Sequence, residues 1–190
     1  MEVFFIARND SLVSNWAFGK TYEYFIYPYS SDYKKRNFLV RLSMATQETD
    51  EMSEYTNLEG FTRFLTMLSN DAYLSHSSSG EKTLHELLDV DVFDGGDKTF
   101  AKGRVTDFNM MLKKGINGDM AYIRDDCSIK PKHKSMALLS VNGKASIKYK
   151  DNIIRFSNKY DMIILKDIDS DFKVNIELNE DILLRMDFDV

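Results

Sequence analysis

Cysteine is nearly absent from this chain of 190 residues: Cys127 stands alone, so no internal disulfide can form and a reducing compartment is expected. Proline occurs twice, at Pro28 and Pro131, and glycine nine times, which leaves little material for a flexible linker. No apolar run approaches the roughly 18 residues that a membrane helix requires. The opening MEVFFIARND has too short an apolar stretch, and no basic residues before it, for a secretion signal. These absences predict a cytoplasmic protein with no membrane partner.

Chemical motifs are as scarce as cysteine. His76 and His85 lie nine residues apart and Cys127 and His133 six apart, without the short pairing of transition-metal ligands. Only a site assembled in three dimensions from His76, His85 and Glu86 remains. Asp167, Asp169 and Asp171 occupy the first, third and fifth places of a calcium loop. Phe172 then stands where the turn needs glycine, and Leu178 where a bidentate Glu belongs. Gly19-Lys20-Thr21 lacks the earlier glycine of a phosphate cradle and runs into a strand rather than a helix. Cys127 follows Asp125 and Asp126, whose charge disfavours a thiolate. The Ser-His neighbourhood of SHSSSG (75–80) has no third group to orient it. The expectation is no catalytic residue, no metal and no cofactor, and a binding protein rather than an enzyme.

What is present describes a globular chain. Hydrophobic residues make up 43% and aromatic residues 13%, enough to bury a core in a chain of this length. Strands are predicted at 2–7, 21–27 and 37–44, the last two forming a hairpin. In the last of these Phe38, Val40, Leu42 and Met44 alternate with Leu39, Arg41 and Ser43, which reads as apolar in, polar out. The middle reads as helical. Asn57 is placed to cap a helix to about Tyr73, with Leu58, Phe61, Phe64, Leu65, Leu68 and Ala72 at spacings of three and four. Shorter helices are predicted from Thr83 and over 105–114. From Met136 six strands follow, with Asn142-Gly143 as a two-residue hairpin turn. The predicted fold is α+β: an antiparallel β-sheet built from N- and C-terminal segments, with a helical insert packed on one face. A single domain, 1–190, is expected, with strands in 1–44, a mainly helical insert with acidic loops in 45–127 and an antiparallel β-meander in 128–190.

The formal charge of −5 conceals segregation: residues 45–100 carry −9, residues 128–160 carry +7 and residues 161–190 carry −6. Fields of this kind steer partners. An acidic loop of Glu48, Asp50, Glu51 and Glu54 with Tyr55 is the candidate surface for a protein partner. The basic stretch holds Lys130, Lys132, Lys134, Lys144, Arg155 and Lys159, with Tyr149, Phe156 and Tyr160 interspersed. Cations and stacking rings together make it the candidate nucleic-acid surface. Richness in Lys, Asn, Ile, Tyr and Phe, with ten Met, fits an AT-rich genome such as a phage or mobile element. The expected function is therefore phage-like protein binding, as an assembly component or a modulator of a host protein. The alternative is a single-stranded nucleic-acid binder, and third an enzyme with a dispersed metal or acid/base site.

One local likeness bears on the alternative. NLEGFTRFLTMLSNDAYLS (57–75) resembles the first-domain helix and following strand of phage DNA sliding clamps, through Leu58, Gly60, Phe61, Leu65, Leu68, Asn70, Asp71 and Ala72. It spans about a tenth of the chain and implies a replisome-associated role.

Overall fold

A computed structural model describes all residues, 1–190. Strands account for 54% of the chain and helix for 2%, so the α+β architecture predicted above is replaced by an almost wholly antiparallel β one. The chain opens with β1 (Glu2–Ile6) and a 3-10 turn at Arg8–Asp10. Ten strands follow: β2 (Leu12–Trp16), β3 (Gly19–Tyr27), β4 (Val40–Gln47), β5 (Ser53–Glu54), β6 (Phe61–Ser69), β7 (Ala72–His76), β8 (Gly80–Leu84), β9 (Asp91–Asp94), β10 (Thr99–Lys102) and β11 (Val105–Lys113). The last eight are β12 (Gly118–Ile123), β13 (Cys127–Ile129), β14 (Ser135–Ser140), β15 (Ser146–Tyr149), β16 (Asn152–Arg155), β17 (Met162–Lys166), β18 (Val174–Glu177) and β19 (Leu183–Phe188).

These strands form two compact units. One comprises Leu12–Gly115, the other Met1–Ser11 with Ile116–Val190. In the Leu12–Gly115 unit a six-stranded sheet, ordered β2-β3-β4-β11-β6-β9, faces a four-stranded one, β5-β10-β7-β8. Leu65 and Met67 from the first meet Ala72, Leu74, Leu84 and Ala101 from the second in a shared core. The other unit repeats the plan with a five-stranded sheet, β1-β17-β14-β19-β12, and a four-stranded one, β13-β18-β15-β16. Its core joins Met136, Leu138, Ile163 and Leu165 to Ile147, Tyr149, Val174 and Ile176.

The helical insert is the main correction. Residues 57–73 form a turn and then β6, while the shorter predicted helices are replaced by β8 with a turn after it and by β11. The spacing of Phe61, Leu65 and Leu68 arises because β6 carries buried apolar residues on both faces, while Leu58 lies in the turn before it. Phe61 does pack on Phe38, with ring centroids 4.5 Å apart, but from a strand. Asn57 caps a turn: its Oδ1 accepts the Glu59 N–H at 3.2 Å and its amide donates to the Gly96 carbonyl. The sliding-clamp likeness fails with the helix on which it rested.

The β3–β4 hairpin stands, with Glu23 opposite Ser43 and Tyr27 opposite Val40. All six C-terminal strands also fall where expected, but they do not form a meander. β14 pairs with β17 and β19, whereas β15 pairs with β16 and β18. Asn142-Gly143 therefore carries the chain from one sheet to the other. Gly143 has φ +75°, and a Cβ there would meet the Asn158 backbone at 2.4 Å, so the crossing needs glycine.

Asp181 fastens this crossing. Its carboxylate accepts the Ser140 hydroxyl and the backbone N–H groups of Asn142 at 2.7 Å, Lys144 at 2.8 Å and Ala145 at 3.0 Å. Burial pushes its carboxyl up, but these hydrogen bonds outweigh burial and hold it below its ordinary value. A lowered carboxyl contributes stability above its unfolded value and loses it as pH falls through the folded one. Asp181→Asn is expected to cost about 1–3 kcal/mol at neutral pH, measured by urea unfolding. The difference from wild type should shrink below about pH 4; a gap of unchanged size at pH 3 contradicts this assignment.

Candidate anion-binding pocket

The central strands of the six-stranded sheet carry polar side chains on the face turned to the other sheet. Across β4, β11 and β6 the register sets Arg41 and Arg63 on either side of Met111, and Ser43 and Leu65 on either side of Asn109. Asp107 lies one row further, between Ala45 and Met67. Period-two alternation puts these rows on one face, and they line a cavity of about 250 Å³ rimmed by Trp16, Tyr33 and Tyr55. Arg41, Arg63, Asp107 and Asn109 are each no more than 5% exposed.

The two arginines differ in how well they are matched. Arg41 donates from Nε to Glu23 at 2.6 Å and from Nη1 to Ser43 at 2.9 Å, and its guanidinium lies over the Tyr33 ring at 4.1 Å. Its charge is balanced. Arg63 is stacked between aromatic rings, 4.6 Å from Tyr55 and 5.3 Å from Phe93. Its one hydrogen bond inside the protein is a long one, from Nη1 to the Thr56 carbonyl at 3.4 Å, and Nε has no partner. A guanidinium carries five N–H donors, so most of its capacity is open.

Two acceptors in the same lining are also open. Asn109 Oδ1 is buried without a partner. Asp107 forms no ion pair or hydrogen bond with the protein, and burial pushes its carboxyl up to about 7 against the pull of Arg63. Burial also works against the charge on Arg63, while Tyr55, Tyr33 and Asp107 support it. Tyr55 is held well above its ordinary value by burial and then by Asp107, so its phenol stays a neutral donor. Buried polar groups are nearly always matched; three unmatched ones around one cavity mark a place built for something else to complete.

Behind the pocket a second polar cluster acts as a brace. His76 bonds through Nδ1 to Thr99 at 2.9 Å and through Nε2 to Asp91 at 2.8 Å, and Asp91 also takes Lys82. The hydroxyl–imidazole–carboxylate order resembles a catalytic relay, but Thr99 is fully buried. The cluster fixes Phe93, 4.7 Å from the His76 ring, and Phe93 in turn underlies Arg63.

The structure scatters the residues singled out from sequence. Glu48, Asp50, Glu51 and Glu54 lie exposed on the segment from β4 through β5, and Asp50 pairs with Arg104 at 3.5 Å. Tyr55 turns away from them onto Arg63. Lys130, Lys132, Lys134, Lys144, Arg155 and Lys159 are all exposed, with Lys132 paired to Asp119 and Lys144 to Glu180. Tyr149, on the face of its strand opposite Lys148 and Lys150, is a core residue, and Phe156 is buried with it. His85 sits at the surface against Asp71, while His76 is buried with Asp91, so the proposed three-residue metal site is not assembled. Arg41, Arg63, Asp107 and Asn109 were not anticipated. The available signal was a charged residue inside the apolar run FTRFLTML and polar residues on alternate positions of VTDFNMM.

A cupin-like β-sandwich fold is the class that these sheets define, as likeness to solved structures bears out. A bacterial pirin from Escherichia coli, YhhW, in complex with nickel(II) aligns over 100% of both chains at 9% identity with a TM-score of 0.65. A conserved protein of unknown function from Pseudomonas aeruginosa PAO1 aligns over 100% of both at 14% identity with a TM-score of 0.87. HutD from Pseudomonas fluorescens SBW25 aligns over 98% of this chain and 99% of its own at 14% identity and 0.77. The HutD family model matches residues 8–184, and the chain belongs to the HutD family. No curated protein matches the sequence.

Membership overturns the phage-like reading and the host modulation that depended on it. No helix is long and apolar enough to cross a membrane. The pirin relative holds nickel(II), yet no three His, Cys, Asp or Glu residues of this chain converge in a way that fits a metal ion. The cavity of the Leu12–Gly115 unit is lined instead by the guanidinium groups of Arg41 and Arg63.

Proposed function

We propose that this chain is a ligand-binding member of the HutD family, a histidine-utilisation regulator-like protein, whose Leu12–Gly115 unit holds a small organic anion by its carboxylate. The observation that carries the reading is Arg63, a buried guanidinium beside a cavity with most of its donors unmatched. Guanidinium and carboxylate match in a bidentate fork, and a water-poor site strengthens the pair. Stacking on Tyr55 and Phe93 fixes the guanidinium plane before the anion arrives, which lowers the cost of ordering on binding. HutD from P. fluorescens is described in a formate condition, and formate is the smallest carboxylate. A cytoplasmic setting belongs to the proposal, supported by the lone thiol of Cys127.

Calorimetric titration with formate, acetate and butyrate tests it. Saturable binding at one site per chain is expected for at least one of them, abolished by Arg63→Met and unaffected by Lys148→Ala on the other unit. Equal heats from wild type and Arg63→Met would sink the reading.

A further inference from the structure

The unmatched groups of the pocket are of two kinds. Arg63 offers donors and positive charge, whereas Asn109 Oδ1 and the Asp107 carboxyl offer acceptors. An anion alone satisfies only the first kind. With an anion on Arg63, a buried, ionised Asp107 would face a second negative charge, and Asn109 would stay unpaired. The geometry points to a zwitterionic ligand for this pocket: a small molecule whose carboxylate is taken by Arg63 and whose ammonium or similar N–H cation is taken by Asp107 and Asn109. This rests on the anion-binding reading and narrows it to a ligand class.

Placement supports two separated poles. Asp107 pairs across the sheet with Met67, four residues along β6 from Arg63, an offset of roughly 13 Å along the strand. The long Arg63 side chain spans part of that offset, and Asn109 lies between, opposite Leu65. The remaining charges are accounted for. Arg41 on β4 is neutralised by Glu23 on β3, and Asp91 on β9 by Lys82 on β8, with a hydrogen bond to His76 on β7. Tyr55 after β5, raised by burial, remains a neutral phenol. What is left buried is Arg63 and Asp107, with the carboxylate of Glu54 exposed to water where it meets the same lining.

The pH dependence has opposite signs for the two kinds of ligand. Asp107, raised to about 7 by burial, is mostly neutral below that pH and mostly ionised above it. An ammonium-bearing ligand needs the ionised form, and its own ammonium stays charged below about pH 9, so its affinity rises from pH 6 to pH 8. A plain carboxylate is opposed by the ionised form, so its affinity falls over the same interval.

The test is calorimetry on the intact chain with matched pairs: acetate and glycine, propionate and β-alanine, butyrate and 4-aminobutyrate. At pH 8 the amino member of at least one pair is expected to bind at least about tenfold more tightly than its plain partner. Asp107→Asn should reduce that ratio to about one. Between pH 6 and pH 8 the wild-type affinities of that pair should move in opposite directions, a readout that stands even if the variant does not fold. Arg63-dependent binding of plain carboxylates, with no amino member favoured at any pH, overturns the zwitterion inference and leaves the anion reading in place. Absence of binding by every member at both pH values overturns both.

Discussion

Arg63→Met is expected to abolish carboxylate binding while leaving the protein as stable as before or more so. Losing one partner of a buried charge pair costs about 2–5 kcal/mol, on the order of 30-fold or more in affinity. In the ligand-free chain the same guanidinium has one long hydrogen bond and an unmatched Nε, so its charge is buried at a net cost. Replacing such a group with an apolar side chain of similar length is neutral or stabilising by about 1–4 kcal/mol. Asp107, already raised to about 7, loses the charge that pulls it down and becomes neutral rather than stranded. Binding by calorimetry and stability by urea unfolding check both halves. A stability loss above about 3 kcal/mol would mean that the guanidinium is a structural tie, and the case for a ligand would go with it.

Phe38→Ala should be the most damaging single truncation near the pocket, at about 3–5 kcal/mol. Phe38 is fully buried, with Phe61 at 4.5 Å and Tyr33 at 6.1 Å, and it shares a cluster with Leu58 and Met111. Tyr33 is the ring beneath Arg41, and Met111 separates Arg41 from Arg63. The truncation is therefore expected to weaken carboxylate binding along with the fold, by loosening one wall of the cavity. Chemical denaturation measures the first effect, and butyrate titration of the folded variant the second. A loss below about 1 kcal/mol would show that the site collapses to fill the void.

Much of the strand pattern could be read from the residues, because strands such as Val174–Glu177 pack on one side and face water on the other. Their alternation is clean: buried Val174 and Ile176, exposed Asn175 and Glu177. β6 fails that reading for a physical reason. Its pocket face presents Phe61, Arg63, Leu65 and Met67, and its other face Thr62, Phe64, Thr66 and Leu68, so neither face is uniformly apolar. The helical spacing that emerged is a by-product of two mixed faces. Thr62, Phe64 and Thr66 favour a strand on propensity, and that weaker signal was the correct one.

The pocket was concealed by the same cause. Arg41 and Ser43 alternate with Val40, Leu42 and Met44, which reads as a solvent face against a core face. In the fold both sets are buried, and the polar set lines a cavity rather than an open surface. Sequence alternation separates polar from apolar but does not say whether the polar side meets solvent or a binding site. Local rules break where function requires a buried charge, and Arg63 in the middle of β6 is such a break.

The central claim is that Arg63 and its cavity hold a carboxylate, and a crystal structure grown with butyrate tests it most directly. The expected result is a carboxylate within about 2.7–2.9 Å of the Arg63 guanidinium nitrogens, inside the cavity of the Leu12–Gly115 unit. Butyrate found only on surface lysines, with the Arg63 donors satisfied by the protein itself, would contradict it.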